Sequence, residues 1–422
     1  MSNVVVVGQG YVGLPMALSA VQAGHSVVGL DTNRELVAAL NSGKSHIDDI
    51  SEAMLEEGLR SGFTATYDPS CISDAEVVVV CVPTPLSDEG GPDLSAVIAT
   101  GETIGEFVNP GALCILESTT YPGTTEEIFA PRVIGRGFKI GSDINIAFSP
   151  ERIDPGNKDF GVKNTPKVVG GITANCTSRA KEFYESFIDT VVAAKGAKEA
   201  EMAKLLENTF RHVNIALVNE MVRFSRELDI DLWDAIDAAE TKPFGFMAFR
   251  PGPGVGGHCI PVDPSYLSHR VKAKLGYAFR MVELAEEINH AAPGYVAARS
   301  RLLLNEHKKP VNCSRILLIG VSYKPNISDQ RESPAIPLAK ELIEWGAEVA
   351  YFDSYIPEWS PLGRNEKVWT GEPSLSSALE AADLAILLQA HDSVDLAILE
   401  TSATPILDTK GVLNKVGNVV RL

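Results

Sequence analysis

Apolar and polar positions alternate along the chain in a strand, helix, strand rhythm. Residues 3–8 are an apolar, β-branched run, residues 11–23 carry apolar positions at helical spacing, and residues 26–30 form a second strand-like run ending at Asp31. This is one βαβ unit. Further strand signals lie at 76–82 and 113–116, the second leading into a Ser/Thr-rich turn. Strands alternating with helices to about residue 195 predict a mostly parallel, doubly wound sheet with right-handed crossovers.

The rhythm then changes. Residues 199–228 keep helical spacing without a Gly or Pro and predict one long helix. A helix of that length commonly packs against a partner, so a homodimer is expected there rather than an internal core helix. The opening theme returns with a strand at 315–320, a helix at 333–345 and a strand at 348–352 that ends in Asp353. Gly24 precedes Asp31 by the same spacing that separates Gly346 from Asp353, and Asp74-Ala-Glu-Val-Val-Val-Val is echoed by Asp383-Leu-Ala-Ile-Leu-Leu. The expected fold is α/β: two Rossmann-like, doubly wound parallel-sheet domains, 1–196 and 299–422, joined by a long central helical segment, 197–298.

Composition narrows the partners. The 422 residues are 45% hydrophobic and 22% charged, ordinary for a globular chain of two or three domains. A net charge of −18 argues against a general nucleic-acid or acidic-membrane surface, so an anionic ligand would need its own pocket of cations and backbone amides. The start lacks a basic region, a long apolar stretch and a cleavage site, and no later apolar run approaches ~20 residues, which predicts a soluble cytoplasmic protein. The six cysteines, 71, 81, 114, 176, 259 and 313, include no CxxC pair. Neither a disulfide framework nor a metal site is expected, and the five other than Cys259 are expected to be buried and inert.

Gly8-Gln-Gly10-Tyr11-Val12-Gly13 fits GxGxxG between a strand and a helix, with Asp31 at the end of the next strand. Its glycines permit a tight turn, backbone approach to a pyrophosphate and close helix packing. Asp31 can accept from both ribose hydroxyls and would repel a 2′-phosphate, so NAD is expected over NADP. Arg34 is able to bind a phosphate or to stack on adenine. In the second half the corresponding turn, Gly320-Val-Ser-Tyr323-Lys324-Pro-Asn, has lost the glycine pattern. Either a second phosphate-bearing ligand or a structural duplicate accounts for it.

Cys259 lies in Pro251-Gly-Pro-Gly-Val-Gly256-Gly257-His258-Cys259-Ile-Pro-Val-Asp263-Pro, where side-chain-free backbone admits a bulky ligand. A thiolate beside NAD can trap an aldehyde as a thiohemiacetal, and loss of hydride then leaves a thioester that water cleaves.

Over essentially its whole length the chain resembles the UDP-glucose/UDP-N-acetylmannosamine dehydrogenase family of four-electron nucleotide-sugar 6-dehydrogenases. The resemblance rests on the glycine turn continued to Pro15, Cys81-Val-Pro-Thr84-Pro, Ser118-Thr-Thr120-Tyr-Pro-Gly-Thr-Thr, Ser149-Pro-Glu151-Arg152, Lys204-Leu-Leu-Glu-Asn208, the Cys259 loop, and Tyr323-Lys324 leading to Arg331, in the family's order. It implies Cys259 as nucleophile, Lys204 and Asn208 as oxyanion donors, Asp263 in proton transfer and Glu151 in thioester hydrolysis. Thr84 and Thr120 are implied near the nicotinamide and the catalytic water, Arg331 at the cofactor and Lys324 at the nucleotide sugar. Glu151, Arg152, Gly256, Gly257, His258 and Tyr323 complete the expected substrate site. Arg250 resembles a substrate-binding arginine that family members often supply from the neighbouring subunit.

Two departures from the UDP-glucose type bear on the sugar. Pro150-Glu-Arg-Ile-Asp154-Pro-Gly-Asn157 stands where that type has Pro-Glu-Phe-Leu and a second acid, and Val262 stands at a lysine position. Both variants resemble the branch acting on UDP-N-acetylhexosamines, most closely UDP-N-acetylglucosamine 6-dehydrogenases, with UDP-N-acetylmannosamine and UDP-glucose as alternatives.

Overall fold

The structure is a computed structural model that describes every residue except 48, 88–90, 154–156, 158, 258–259 and 364–367. The chain packs as two compact units, one of Met1–Glu207 with Ser265–Tyr277 and one of Asn208–Pro264 with Ala278–Leu422. Residues 197–298, expected as a connector, are thus divided between the two.

The first unit is built on eight strands: β1 (Asn3–Val7), β2 (Ser26–Leu30), β3 (Phe63–Thr66), β4 (Val77–Val80), β5 (Leu113–Leu116), β6 (Asn145–Phe148), β7 (Lys167–Gly171) and β8 (Val191–Ala193). Their order is β3-β2-β1-β4-β5-β6-β7-β8. Every pair is parallel except β6 with β7, which run antiparallel. Strands β4, β5 and β6 are buried at every residue, so both faces must be apolar. Strand alternation divides them cleanly: Val77, Val79, Leu113 and Ile115 join the core on one face, and Val78, Val80, Cys114 and Leu116 that on the other.

The turn from β1 into the helix Gly13–Gln22 depends on two glycines for its own packing. Gly8 is left-handed (φ +89°), and a Cβ there would lie 2.6 Å from the Cys81 carbonyl oxygen. A Cβ on Gly13 would lie 1.8 Å from the Gly8 carbonyl oxygen. Gly10 differs, for a Cβ there meets nothing within 4 Å.

The second unit repeats the plan with β9 (Arg315–Ile319), β10 (Glu348–Phe352), a small antiparallel pair β11 (Glu358–Trp359) and β12 (Trp369–Thr370), β13 (Leu384–Leu387), β14 (Ile406–Asp408) and β15 (Val419–Arg421). The main sheet is parallel, in the order β10-β9-β13-β14-β15. The internal echo in the sequence extends to the backbone. Gly24 and Gly346 are both left-handed (φ +91° and +87°), and each donates its N–H back into the preceding helix, to Val21 at 2.9 Å and Ile343 at 2.8 Å. Gly320 (φ +78°) approaches the Gln389 carbonyl as Gly8 approaches that of Cys81.

The long helix runs Ala197–Glu227, close to the expected span. Among the described residues, no helix is long and apolar enough to cross a membrane. The expectation of buried cysteines fails at Cys313, which is exposed, while Cys71 and Cys81 are half-buried. Cys313 occupies a left-handed turn position (φ +64°) just before β9, outside the core that the strand itself enters.

These contacts separate two substitutions. Gly13→Ala should destabilise the first unit by about 3 kcal/mol, lowering the thermal midpoint by roughly 6–12 °C. Gly10→Ala should leave the midpoint within about 1–2 °C of the parent in the same calorimetric scan.

Candidate active site

In the first unit, the helix Gly13–Gln22 starts at Val12 with no side-chain cap and no acidic residue in its first turn. Its positive end is left for an anion to complement. Asp31 stands beside this turn. Its Oδ2 accepts from the Gln9 amide at 2.9 Å and its Oδ1 from the Asn33 amide at 2.9 Å, while the carboxylate stays partly exposed. Tyr11 is exposed and Val12 half-buried along the same turn. The Arg34 guanidinium lies 4.5 Å over the ring of Tyr67, an exposed side chain that the sequence pattern did not single out. The open side of Gly10, the uncapped helix end and the anchored acid at the β2 terminus fit a dinucleotide.

The loops after β4 and β5 are tied together beyond the sheet. Thr84 Oγ1 donates to the Thr119 carbonyl at 2.8 Å, Ser118 Oγ donates to the Val82 carbonyl at 2.7 Å, and Tyr266 donates its hydroxyl to the Thr84 carbonyl. Thr120 is buried, and its Oγ1 has no hydrogen-bond partner among the described residues. A buried hydroxyl left in that state is suited to a ligand or water. Glu201, one turn before Lys204 on the long helix, clamps the same loop by accepting from the Gly123 amide at 2.6 Å and from the Thr125 amide and hydroxyl at 2.8 and 2.7 Å. Burial lifts its carboxyl to about 7 despite these three bonds.

Glu151 lies just past β6. Its Oε1 accepts from the Arg152 and Ile153 amides at 2.7 and 2.6 Å, and Lys204 Nζ donates to its main-chain carbonyl at 2.8 Å. Lys167, the first residue of β7, sits 3.1 Å from Glu151 Oε2 and 3.1 Å from Glu117 Oε2, both ion pairs largely out of water. Arg152, expected at the substrate, is turned to Glu207 (2.8 Å) and to the Pro166 carbonyl (2.6 Å). Sequence reasoning missed Glu117, Lys167 and Glu201. A charged residue directly at the edge of a fully apolar strand was the available signal for the first two.

In the second unit, Asn208 Nδ2 donates to Asp263 Oδ2 at 2.5 Å, and both side chains are buried. Asp263 opens the helix Asp263–Leu275, and Val262 before it is buried. The glycine loop is pressed on the turn after β9. A Cβ on Gly257 (φ +82°) would lie 2.6 Å from the Tyr323 ring, and one on Gly256 would lie 2.7 Å from the Glu332 carbonyl oxygen. His258 and Cys259, like Asp154, lie outside the described residues.

The acid at the end of β10 has a different task from Asp31. Asp353 is buried, and its Oδ2 accepts from the Val321 amide at 2.7 Å and pairs with His391 Nε2 at 3.1 Å. His391 Nδ1 accepts from the Asn326 amide at 2.9 Å, which makes Nε2 the protonated nitrogen facing the carboxylate. Burial would raise the Asp353 carboxyl, but His391 and the loop amides outweigh it and hold it below its ordinary value. Asp353 thus shapes the Tyr323-Lys324 turn from within. Lys324 is half-buried in that turn, its carbonyl accepting from Ser322 Oγ at 2.8 Å. Arg331 forms a two-pronged pair with Asp329 (2.9 and 2.6 Å), and Arg250, exposed, pairs with Asp237 (2.5 Å) and Glu240 (3.3 Å). Within the units, then, Lys204 meets Glu151, Asn208 meets Asp263 and the glycine loop meets Tyr323, whereas Arg152, Arg250 and Arg331 hold acids of their own unit.

Residues 2–188 match the NAD binding domain of the UDP-glucose/GDP-mannose dehydrogenase family, residues 198–291 its central domain and residues 317–415 its UDP binding domain. The chain is 33% identical to a UDP-N-acetyl-D-mannosamine dehydrogenase of Methanocaldococcus jannaschii, over 98% of this chain and 93% of that protein. It is 34% identical to a UDP-N-acetyl-D-glucosamine 6-dehydrogenase of Pseudomonas aeruginosa, over 92% and 90% of the two. A solved UDP-D-ManNAc dehydrogenase of Pyrococcus horikoshii superposes with a TM-score of 0.88 at 31% identity, covering 99% of this chain and 98% of that one. With matches to all three of its domains, the chain belongs to the UDP-glucose/GDP-mannose dehydrogenase family and is an NAD-dependent oxidoreductase of UDP-sugars.

Proposed function

We propose that the protein oxidises the C6 primary alcohol of a UDP-N-acetylhexosamine, UDP-GlcNAc, to the uronate in two successive NAD-dependent steps through a covalent adduct on Cys259. The observation that carries the reading is the buried engagement of the expected catalytic side chains with one another: Lys204 with the main chain of Glu151, and Asn208 with Asp263. Burial of such polar groups is costly unless they are paired or used.

NAD, when bound, would supply the hydride acceptor at each oxidation level. Gly8, Gly10, Gly13, Tyr11 and Val12 would hold its pyrophosphate and Asp31 its ribose, with Thr84, Thr120 and Arg331 toward the nicotinamide end. Lys204 Nζ and Asn208 Nδ2 lie one helical turn apart on Ala197–Glu227 and donate to the substrate oxygen as charge develops on it. The Cys259 thiolate adds to the aldehyde carbon, and loss of hydride from that adduct leaves a thioester. Glu151 takes a proton from the attacking water, the C–S bond breaks and Cys259 leaves as thiolate. Asp263 relays protons through water. Gly256, Gly257, His258, Tyr323, Lys324 and Arg152 complete the substrate site.

The choice of an acetamido sugar rests on the loop around Cys259. Val262 is buried where the UDP-glucose type carries lysine, and a lysine at that depth would need a partner. The relatives above carry the names of both the gluco and the manno acetamido-sugar enzymes, and the choice of the gluco form rests on the resemblance of the motifs at 151–157 and 251–261 to the UDP-N-acetylglucosamine type.

The long helix supports a homodimer. Phe210, Leu217 and Phe224 are exposed at seven-residue intervals, with Leu228 beyond them, an apolar seam suited to a second copy of the same helix. The exposed Arg250 would then serve the partner's substrate site.

Three measurements test these readings. Purified enzyme should yield two equivalents of NADH per sugar and a kcat/KM for UDP-GlcNAc at least about tenfold above those for UDP-ManNAc and UDP-glucose; a preference for UDP-glucose would refute the acetamido assignment. Cys259→Ala should abolish uronate formation while NAD binding, followed by fluorescence, persists; full turnover by this variant would exclude the covalent route. Leu217→Arg should convert dimer to monomer in sedimentation velocity, and activity should fall with the dimer fraction.

A further inference from the structure

The cluster behind Glu151 contains more charge than the proposed chemistry uses. The ammonium of Lys167 is equidistant from Glu117 Oε2 and Glu151 Oε2, at 3.1 Å each. Glu117 is almost fully buried and receives two further donors, the Tyr184 hydroxyl on Oε1 and, at 3.9 Å, the Cys81 thiol on Oε2. The ring of Tyr184 also lies 5.3 Å below the Lys167 ammonium. Lys204 approaches from the long helix onto the Glu151 main chain, and Arg152 is turned away to Glu207. Among the described residues, the titratable groups around Glu151 are Lys167, Glu117, Tyr184, Cys81, Lys204 and, outward, the Arg152–Glu207 pair.

This cluster owes its existence to the antiparallel strand. In the register of β6 on β7, Ala147 faces Gly171 and Phe148 faces Gly170. Carried past the strand ends, that register sets Glu151 opposite Lys167. A parallel β7 would have started at the other end of the sheet.

We propose that Lys167 is a positioning residue for thioester hydrolysis: anchored by Glu117, it orients the Glu151 carboxylate and keeps it ionised for proton abstraction from water. This rests on the reading of Glu151 as the hydrolytic base. Three donors converge on Glu117 and hold it against Lys167, offsetting in part the burial that pushes its carboxyl up. Burial by itself would raise the Glu151 carboxyl, yet Lys167, the Ile153 amide and Lys204 together hold it below its ordinary value. With Oε1 fixed by two amides and Oε2 by Lys167, its geometry is defined without recruiting the substrate.

The sign of the pH effect follows. A carboxyl held low by Lys167 remains a competent base down to low pH, so removing the ammonium raises the pH at which hydrolysis fails. Removing the like charge of Glu117, with an amide still holding Lys167, lowers it.

The test is a single-turnover reaction of the full-length enzyme with UDP-GlcNAc and NAD across pH 5–9, following the first NADH optically and the Cys259 adduct by mass spectrometry. Lys167→Met should leave formation of the first NADH within about threefold of the parent, accumulate the adduct and move the acid limb of hydrolysis up by at least about one pH unit, a tenfold loss below that limb. Lys167→Arg should restore the parent limb, and Glu117→Gln should move it the other way, which keeps the test decisive should Lys167→Met fail to fold. Glu151→Gln serves as the reference. If it accumulates adduct while Lys167→Met shows a parent limb and no adduct, or Glu117→Gln leaves the limb unmoved, the positioning role is overturned. If Glu151→Gln accumulates none, the assignment of the base falls and the positioning role falls with it.

Discussion

Burial of β4, β5 and β6 on both faces leaves functional side chains one place to emerge, beyond the carboxyl ends of the strands. Val77–Val80 and Leu113–Leu116 contribute nothing but apolar surface, and the chemistry-bearing residues follow immediately: Thr84, Thr120 and Glu151 in the first unit. Tyr323 and Lys324 follow β9 in the same way. The crossovers of a parallel sheet return each strand in the same direction, so such residues accumulate along one edge. The exceptions, β7 and β8, run backward, and β7 brings the start of a strand to that edge.

That reversal explains how three charges are tolerated in a region nearly free of water. An isolated buried ammonium or carboxylate costs several kcal/mol. Lys167 between Glu117 and Glu151 divides its donors between two acids, and the excess negative charge is met by the Tyr184 hydroxyl, the backbone amides at 152 and 153, and Lys204 nearby. Glu201 applies the same principle to the loop around Thr120, with three donors on one carboxylate. Both devices anchor loops that sheet packing alone would leave unconstrained, and both draw on residues distant in sequence.

The two Rossmann-like units show how one backbone plan diverges. Gly8 and Gly320 share a left-handed conformation and a close approach to the neighbouring strand's loop. Their acids differ in exposure: Asp31 keeps a face toward solvent, while Asp353 is consumed by His391 and the loop amides. The first turn retains open space at Gly10 for a ligand, whereas the turn after β9 supplies Tyr323, on which Gly256 and Gly257 lie. One fold plan thus serves as an NAD binding domain in one half and a UDP binding domain in the other, where it also seats the glycine loop.

Much of this was legible in the chain before folding. Continuous apolar runs and apolar positions at helical spacing identified β1, β2, β4, β5, β9, β10 and the long helix, because burial on both faces or along one stripe forces those patterns. The glycine turn with Asp31 was readable because the constraint is local: a tight turn needs glycine. Lys204 and Asn208 were pointed out by the family resemblance, to which spacing adds only that residues four apart share a helix face. Short strands such as β3, β6, β7 and β8 left little periodicity to read. The direction of β7, the company of Lys167, the consumption of Asp353 and the engagement of Arg152, Arg250 and Arg331 with acids of their own unit were decided only by tertiary structure. Each depends on which distant groups share a small, poorly hydrated volume, and pairing in such a volume is set by strand order and register rather than by neighbours along the chain.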